Sequence, residues 1–320
     1  MVLIFVELDN GQIKKTSLEA VYYGAQVAKM QGSSATVLAI GAADAAALAT
    51  AGNFGATKVL HANGVEYATE NAMAYASVLT AAVQQENADV VVLPKSGLCD
   101  AMSARAAAKL KASVVSGAVE LPDLSNGFRV KRAIYTGKAF ATVSMDSAIK
   151  ILGVKKNAIA AVETSATAEV VIFNPAPNDG DFTAKVVSQE KASDELSLTE
   201  ADIIVSGGRG MKGPENWQPI LDLAQSLHAA TGCSKPVSDL DWRPHHEHIG
   251  QTGIKVAPNL YIACGISGAI QHLAGVNASK CIVVINKDAD APFFKAADYG
   301  IVGDVFDILP RLTKAIEAAK

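Results

Sequence analysis

Ile203-Ile204-Val205-Ser206-Gly207-Gly208-Arg209-Gly210-Met211-Lys212-Gly213 decides the fold of the last third of the chain, because a β-branched run breaks abruptly into glycines. The run reads as a buried strand and the glycines as a turn. A helix follows, with Trp217, Ile220, Leu221, Ala224 and Leu227 on one face at helical spacing. Strand, turn and helix open a βαβ series that Leu260 to Ala263 and Cys281 to Ile285 continue, so a doubly wound parallel sheet is expected. Gly208, Gly210 and Gly213 also satisfy the G-x-G-x-x-G spacing, in which backbone N–H groups at a helix start favour phosphate. Arg209 adds a cation able to fork onto a pyrophosphate. The same residues equally fit a tight turn with a solvated arginine.

Two later segments carry more donors. Ile262-Ala263-Cys264-Gly265-Ile266-Ser267-Gly268-Ala269-Ile270-Gln271-His272 is again strand, glycine turn and helix start, so its serine and backbone N–H groups can face a phosphate, with Gln271 and His272 one turn on. Gly250-Gln251-Thr252-Gly253 supplies an amide and a hydroxyl. Alone, His272 also fits a hydrogen-bonded core histidine. Asp239 or Asp241 stands where a dinucleotide fold places its ribose-binding acid, which keeps an NAD(P)-dependent oxidoreductase open. His245-His246-Glu247-His248 offers metal-ligand chemistry, but Pro244 and Gly250 frame it as a loop, and no metal site is expected. No nucleophile elbow, Walker A lysine or paired carboxylates are visible, so hydrolysis has no machinery here.

Outward from this region, Val2 to Leu8, Thr36 to Ile40, Lys58 to His61 and Asp89 to Leu93 read as strands alternating with helices. Thr16-Ser17-Leu18-Glu19 has capping-box spacing, and Asn71 to Gln85 and Asp100 to Leu110 are alanine-rich helical stretches. Past Val114, Phe128 to Ile134 and Ala139 to Met145 alternate around Tyr135-Thr136-Gly137-Lys138, a hairpin, and Ala148 to Val154 and Glu169 to Phe173 add strand. The first domain is therefore α/β with a mixed sheet. Asn174 to Glu200 is rich in Pro, Asp, Ser, Glu and Lys, which places the boundary near Glu190, giving domains 1–190 and 191–320.

A chain of 320 residues suits two cores, and its hydrophobic half with 19% charge excludes disorder as the main state. A formal net charge of −4 gives no field for a nucleic-acid backbone. Cys99, Cys233, Cys264 and Cys281 lack Cys-x-x-Cys spacing and read as reduced thiols. No targeting segment is visible and no apolar run approaches the ~18 residues of a spanning helix, so a cytoplasmic protein without membrane insertion is expected.

The segments Gly250–Gly253, Cys264–His272 and Val284-Ile285-Asn286-Lys287-Asp288 resemble, in order and spelling, the FAD-binding domain of the electron transfer flavoprotein alpha subunit. The likeness runs over essentially the whole chain, is strongest from Val205 to Asp304, and includes Arg132-Ala133-Ile134-Tyr135-Thr136-Gly137-Lys138-Ala139 in the first domain. It implies a nucleotide-binding-like first domain without its own cofactor and a second that binds FAD. By this resemblance Arg209 and Ser234 contact FAD. Ile249, Gly250, Gln251 and Thr252 lie along flavin and ribityl chain, and Ser267, Gly268, Ala269, Ile270, Gln271 and His272 wrap phosphates and ring. Asn286, Asp304 and Val305 would hold the adenosine side. Thr252 would donate near flavin N5 and His272 near the N1/O2 edge, where a donor stabilises the negative charge of an electron added without a proton.

The resemblance further implies a heterodimer with a beta subunit that holds AMP or a second FAD. The pair would carry electrons from acyl-CoA-type dehydrogenases of fatty acid β-oxidation, or related flavin dehydrogenases, to a quinone reductase or another acceptor, with no substrate turnover of its own. Partner binding predicts an exposed apolar surface on the first domain. Two positions depart from the family: Gly232-Cys233-Ser234-Lys235 has lysine where arginine is usual, keeping the charge over the flavin face without the planar guanidinium, and His248 replaces a common glutamine. A noncatalytic subunit whose cofactor-like loops serve packing is the remaining alternative.

Overall fold

Val2–Val6 is five consecutive buried apolar residues, a pattern that requires cover on both faces of a sheet. In the computed structural model, which describes residues 1–137, 139–176, 178–184, 186–187 and 197–320, this strand lies inside a nine-stranded sheet. The order across that sheet is Glu169–Ile172, Lys58–Ala62, Ala35–Ile40, Val2–Val6, Val90–Pro94, Lys150–Val154, Ser113–Ala118, Arg129–Ile134 and Ala139–Ser144. The first seven pair in parallel and the last two join through antiparallel pairs, as expected of a mixed sheet. Val2, Ile4 and Val6 pack into one core with Val21, Tyr23 and Val27 of the helix Lys15–Met30. Leu3 and Phe5 point the other way, into a core built with the helices Ala72–Glu86 and Gly97–Leu110.

Local details differ from the sequence expectation in three places. The first helix starts one residue before Thr16, and its N-cap, Lys14, makes no side-chain cap bond, so Thr16 and Glu19 fall inside the helix. Ser17 instead accepts the backbone N–H of Glu7 at 2.9 Å. Among the described α-helices of the first unit, side-chain cap bonds come from Asn71, accepting from Met73 at 2.9 Å, and Ser96, accepting from Cys99 at 3.1 Å. Ser113–Ala118 is an additional strand, and the hairpin turn is a 3-10 turn, Tyr135–Gly137, whose neighbour Lys138 lies outside the described residues.

The chain divides into two compact units, Met1–Gln189 and Glu190–Lys320. The boundary expected near Glu190 lies outside the described residues, which omit 188–196. The second unit holds a five-stranded sheet, ordered Ala230–Cys233, Ile203–Gly207, Leu260–Cys264, Cys281–Asn286 and Tyr299–Val302, with every pair parallel. This is the doubly wound 2-1-3-4-5 order, whose reversal falls between Ile203–Gly207 and Leu260–Cys264. One face packs on the helices Gln218–Leu227 and Val305–Ala318, burying Trp217, Ile220, Leu223 and Leu309. The other face buries Ile204, Tyr261, Val284 and Phe293. Among the described residues no helix is long and apolar enough to cross a membrane.

Candidate functional site

At the reversal point two glycine turns press against each other. Gly208 donates its N–H to the Cys264 carbonyl at 2.9 Å, Gly210 to Gly265 at 3.0 Å, and Gly265 to Ile285 at 2.9 Å. A Cβ on Gly208 would sit 2.3 Å from the Gly265 oxygen, and one on Gly210 2.7 Å from the Gly265 Cα, so close approach is what these glycines serve. A 3-10 turn, Arg209–Met211, follows, then Lys212 at φ 68°, and the helix begins only at Gln218. The G-x-G-x-x-G spacing thus builds a turn-to-turn contact and no helix start for a phosphate, which removes the ground for an NAD(P) site. Of the two candidate ribose acids, Asp239 lines the cleft but is paired 2.9 Å from the Lys235 ammonium on the short helix Lys235–Asp239, and Asp241 sits in a turn at φ 56°, outside the lining.

A cleft of about 860 Å³ opens at the carboxyl ends of these strands. Its walls bring together Arg209, Ser234, Lys235, Ile249, Gly250, Gln251, Thr252, Ser267, Ala269, Gln271, His272 and Asn286. Four residues expected at the site do not line it. Gly268, at φ +83°, is the point where its turn meets Phe293, whose Cβ would lie 2.4 Å from an added Cβ. Ile270 projects to the surface, 70% exposed. Asp304 caps the last helix, accepting from Phe306 at 3.0 Å, and Val305 is buried in the core behind it. Asn286 lines the cleft, yet its amide is engaged within the chain: Nδ2 donates to Ile266 at 3.0 Å and Oδ1 accepts from Asp288 at 3.0 Å.

Lining residues not singled out from sequence are Lys212, Pro236, Ile266, Lys287 and Asp288, with His248 noted only as a departure. Their common signal is position: Ile266 and Lys287 stand within two residues of a strand's carboxyl end, where a doubly wound sheet places ligands. The lining cations Arg209, Lys212, Lys235 and Lys287 outnumber the acids Asp239 and Asp288, so the cleft favours an anionic ligand. Among the described residues, Ser267, Gly268, Ala269 and Ile270 donate their N–H groups to no backbone carbonyl. Ser234 begins the helix Lys235–Asp239 without a side-chain cap bond. The loop between is fastened by Ile249 N–H to Cys233 at 3.0 Å and Gln251 N–H to Gln271 at 2.7 Å, while the side chains of Gln251 and Thr252 stay exposed.

Two imidazoles lie in the wall. His272 is 6% exposed, with Nε2 2.9 Å from the Tyr261 hydroxyl, and its Nδ1 is a buried atom without a hydrogen bond among the described residues. Burial pushes its pKa down to about 4; the Ile249 backbone, close enough to attract a ring proton though outside hydrogen-bond geometry, pulls the other way, and the His248 ring adds to the fall. His248 is buried too, its Nδ1 likewise without a partner, and burial followed by the nearby His245 and Lys235 charges lowers its pKa. Both rings are neutral at pH 7. In the His245–His248 run, Glu247 takes a bidentate contact from Arg243, with Nε 3.1 Å and 3.0 Å from its two oxygens. No group of three or more His, Cys, Asp or Glu suited to a metal is present among the described residues. Burial raises the Cys99 and Cys264 thiols and pushes Cys233 up to about 12, so these three stay protonated.

An open cleft at the switch point of a doubly wound sheet, rimmed by cations and unengaged backbone N–H groups, defines a nucleotide-cofactor-binding α/β protein. The electron transfer flavoprotein FAD-binding domain profile matches residues 197–277, and the electron transfer flavoprotein domain profile matches residues 2–178. The chain is 38% identical to the electron transfer flavoprotein subunit alpha of Bacillus subtilis over 318 residues, covering 98% of this chain and 96% of that one. It is 38% identical to the subunit of the same name from Pseudomonas aeruginosa, covering 98% and 99%. With that of Bradyrhizobium diazoefficiens it shares 42% identity over 229 residues, 70% and 71% of the two chains. The chain belongs to the electron transfer flavoprotein alpha subunit family.

Proposed function

We propose that this chain holds FAD in the cleft of its second unit and, paired with a beta subunit that carries AMP or a second FAD, passes electrons one at a time. Its donors would be acyl-CoA-type or related flavin dehydrogenases, and its acceptor a quinone reductase or another carrier. The observation that carries the reading is the convergence of four cations, the Ser267–Ile270 N–H groups and two buried imidazoles with orphaned Nδ1 atoms on one cleft. A buried polar atom without a partner costs about 1–3 kcal/mol, which a ligand's acceptor atoms would offset. The donor set therefore fits a phosphorylated heteroaromatic group.

When bound, FAD would supply the redox chemistry itself. The chain's part is to bind and orient. Arg209 and the Ser267–Ile270 N–H groups would hold the pyrophosphate, with Ser234 beside it. Ile249, Gly250, Gln251 and Thr252 would lie along the ring and ribityl chain, Thr252 donating near N5 and His272 near the N1/O2 edge. Lys235 would place its charge over the ring face, shared with Asp239. The adenosine side would be held by backbone near Asn286, since the amide of that residue is taken. On the first unit Tyr135 is 78% and Phe140 57% exposed, which supports a partner surface there. The reading also places the pair in the cytoplasm, with its cysteines reduced. Coexpression with the beta subunit and an absorption spectrum test it: a yellow complex with a bound flavin spectrum is expected, and a complex that stays colourless in excess FAD overturns it.

A further inference from the structure

His272 is held from several sides. Tyr261, fully buried on the strand Leu260–Cys264, reaches its Nε2 with the phenol oxygen at 2.9 Å. The Phe293 ring meets the imidazole edge-on at 5.8 Å and 67°, and itself stacks on Tyr261 at 6.4 Å and 26°. Phe293 is in turn tied to the cofactor turn, donating its N–H to the Ser267 carbonyl at 3.1 Å. The imidazole therefore has little freedom to rotate or flip.

A neutral imidazole carries one proton, and which nitrogen holds it depends on the partner of the other. Here the ring is neutral at pH 7 and burial raises the Tyr261 pKa, so a neutral phenol faces a neutral ring. Of the two arrangements, O–H to ring nitrogen pairs the better donor with the better acceptor, because a phenol is the stronger acid and an imidazole nitrogen the stronger base. We infer that Tyr261 is a positioning residue: its hydroxyl donates to His272 Nε2, which keeps the single imidazole proton on Nδ1 as the donor left for the ligand. This rests on the flavin reading for the identity of the acceptor, but the tautomer is a property of the chain alone. The Ile249 backbone, which draws on the same ring, favours a proton on Nδ1 too, so Tyr261→Phe is needed to separate the two influences. Without the phenol the proton could sit on either nitrogen, and part of the population would present a lone pair where a donor is needed.

The test uses the full chain with its partner subunit, labelled with nitrogen-15 histidine, and proton–nitrogen correlation spectra that distinguish the two neutral tautomers. The His272 signals are assigned by their loss in His272→Asn. A single Nδ1–H form is expected at neutral pH, with and without FAD, and Tyr261→Phe should mix in the Nε2–H form. In the same variant the Kd for FAD should rise by up to about tenfold, the size of one hydrogen bond. An Nε2–H parent, or a tautomer that Tyr261→Phe leaves unchanged, overturns the inference. If Tyr261→Phe does not fold, the parent Nε2 shift decides: an acceptor nitrogen moved upfield by an O–H donor upholds the inference, and one at the value of a free acceptor overturns it. An Nδ1–H form that Tyr261→Phe mixes with Nε2–H, in a complex that refuses FAD, upholds the role of Tyr261 and overturns only the flavin reading.

Discussion

Both sheets reverse their strand order near the middle, one beside Val2–Val6 and Val90–Pro94, the other beside Ile203–Gly207 and Leu260–Cys264, and the chain treats the two crevices in opposite ways. In the first unit the carboxyl edge is filled from within. Ser96 caps the helix Gly97–Leu110 and donates its hydroxyl to the buried Glu7 carboxylate at 2.9 Å, and Asp100 in that helix's first turn takes Lys95 and, at 2.9 Å, Ser116. Acid groups already stand where a phosphate would approach a helix start, so the edge repels one. In the second unit the glycine turns bond to each other, but the Ser267–Ile270 segment that follows keeps its N–H groups off every backbone carbonyl among the described residues, and the rim is cationic. Nucleotide binding on such sheets is thus decided by which polar groups the chain has already satisfied for itself, more than by strand order.

The largest way to break this contrast is to fill the open edge. Gly208→Val would put side-chain atoms into the Gly265 turn and the Ile266 side chain, an overpacking cost of about 3 kcal/mol in stability, and the turns it pushes apart should lose FAD affinity by about tenfold or more. Equilibrium dialysis of the complex against FAD measures it, and unchanged affinity would mean the two turns do not need their contact.

Acid is the next lever. Folding lowers the His272 pKa from its ordinary 6.5 to about 4, so the unfolded chain takes the proton more readily. Its neutral burial leaves stability intact above pH 6.5, and stability falls as pH drops toward 4, by about 3 kcal/mol at the low end. Both tryptophans of the chain, Trp217 and Trp242, belong to the second unit, so urea unfolding followed by their fluorescence reads that unit. The pH slope should flatten in His272→Gln.

The smallest effect sharpens the comparison from the closed side. Ser96→Ala removes a helix cap and a hydrogen bond to Glu7, which should lower stability by about 1–2 kcal/mol by circular dichroism while leaving FAD affinity unchanged.

What sequence could show of this contrast follows from the same physics. Central strands such as Val2–Val6 and Leu260–Cys264 are continuous apolar runs and were readable to within a residue or two. Ala230–Cys233 contains Thr231 and Gly232, and Tyr299–Val302 is an exposed edge, so neither has the apolar signature of a buried strand. Thr16 and Glu19 had the spacing of a cap but lie inside the helix, because spacing does not show where the backbone turns helical. The cleft was legible where glycine turns follow strands, which located Arg209, Ser267 and the Ile249–Thr252 loop. Spacing alone could not reveal that Gly208 and Gly210 serve a neighbouring turn, that the Asn286 amide is already bonded, or that Tyr261 reaches His272 across 11 positions. Those are contacts between segments distant in sequence.

The two-ended amide of Asn286 has one more consequence. By stitching the Ile266 carbonyl to the Asp288 N–H, it locks the exits of two adjacent strands together, so the floor beneath a bound nucleotide is rigid before anything arrives. Ordering that floor is already complete in the folded chain and does not count against association, which lets a modest set of contacts retain a cofactor through repeated changes of its charge.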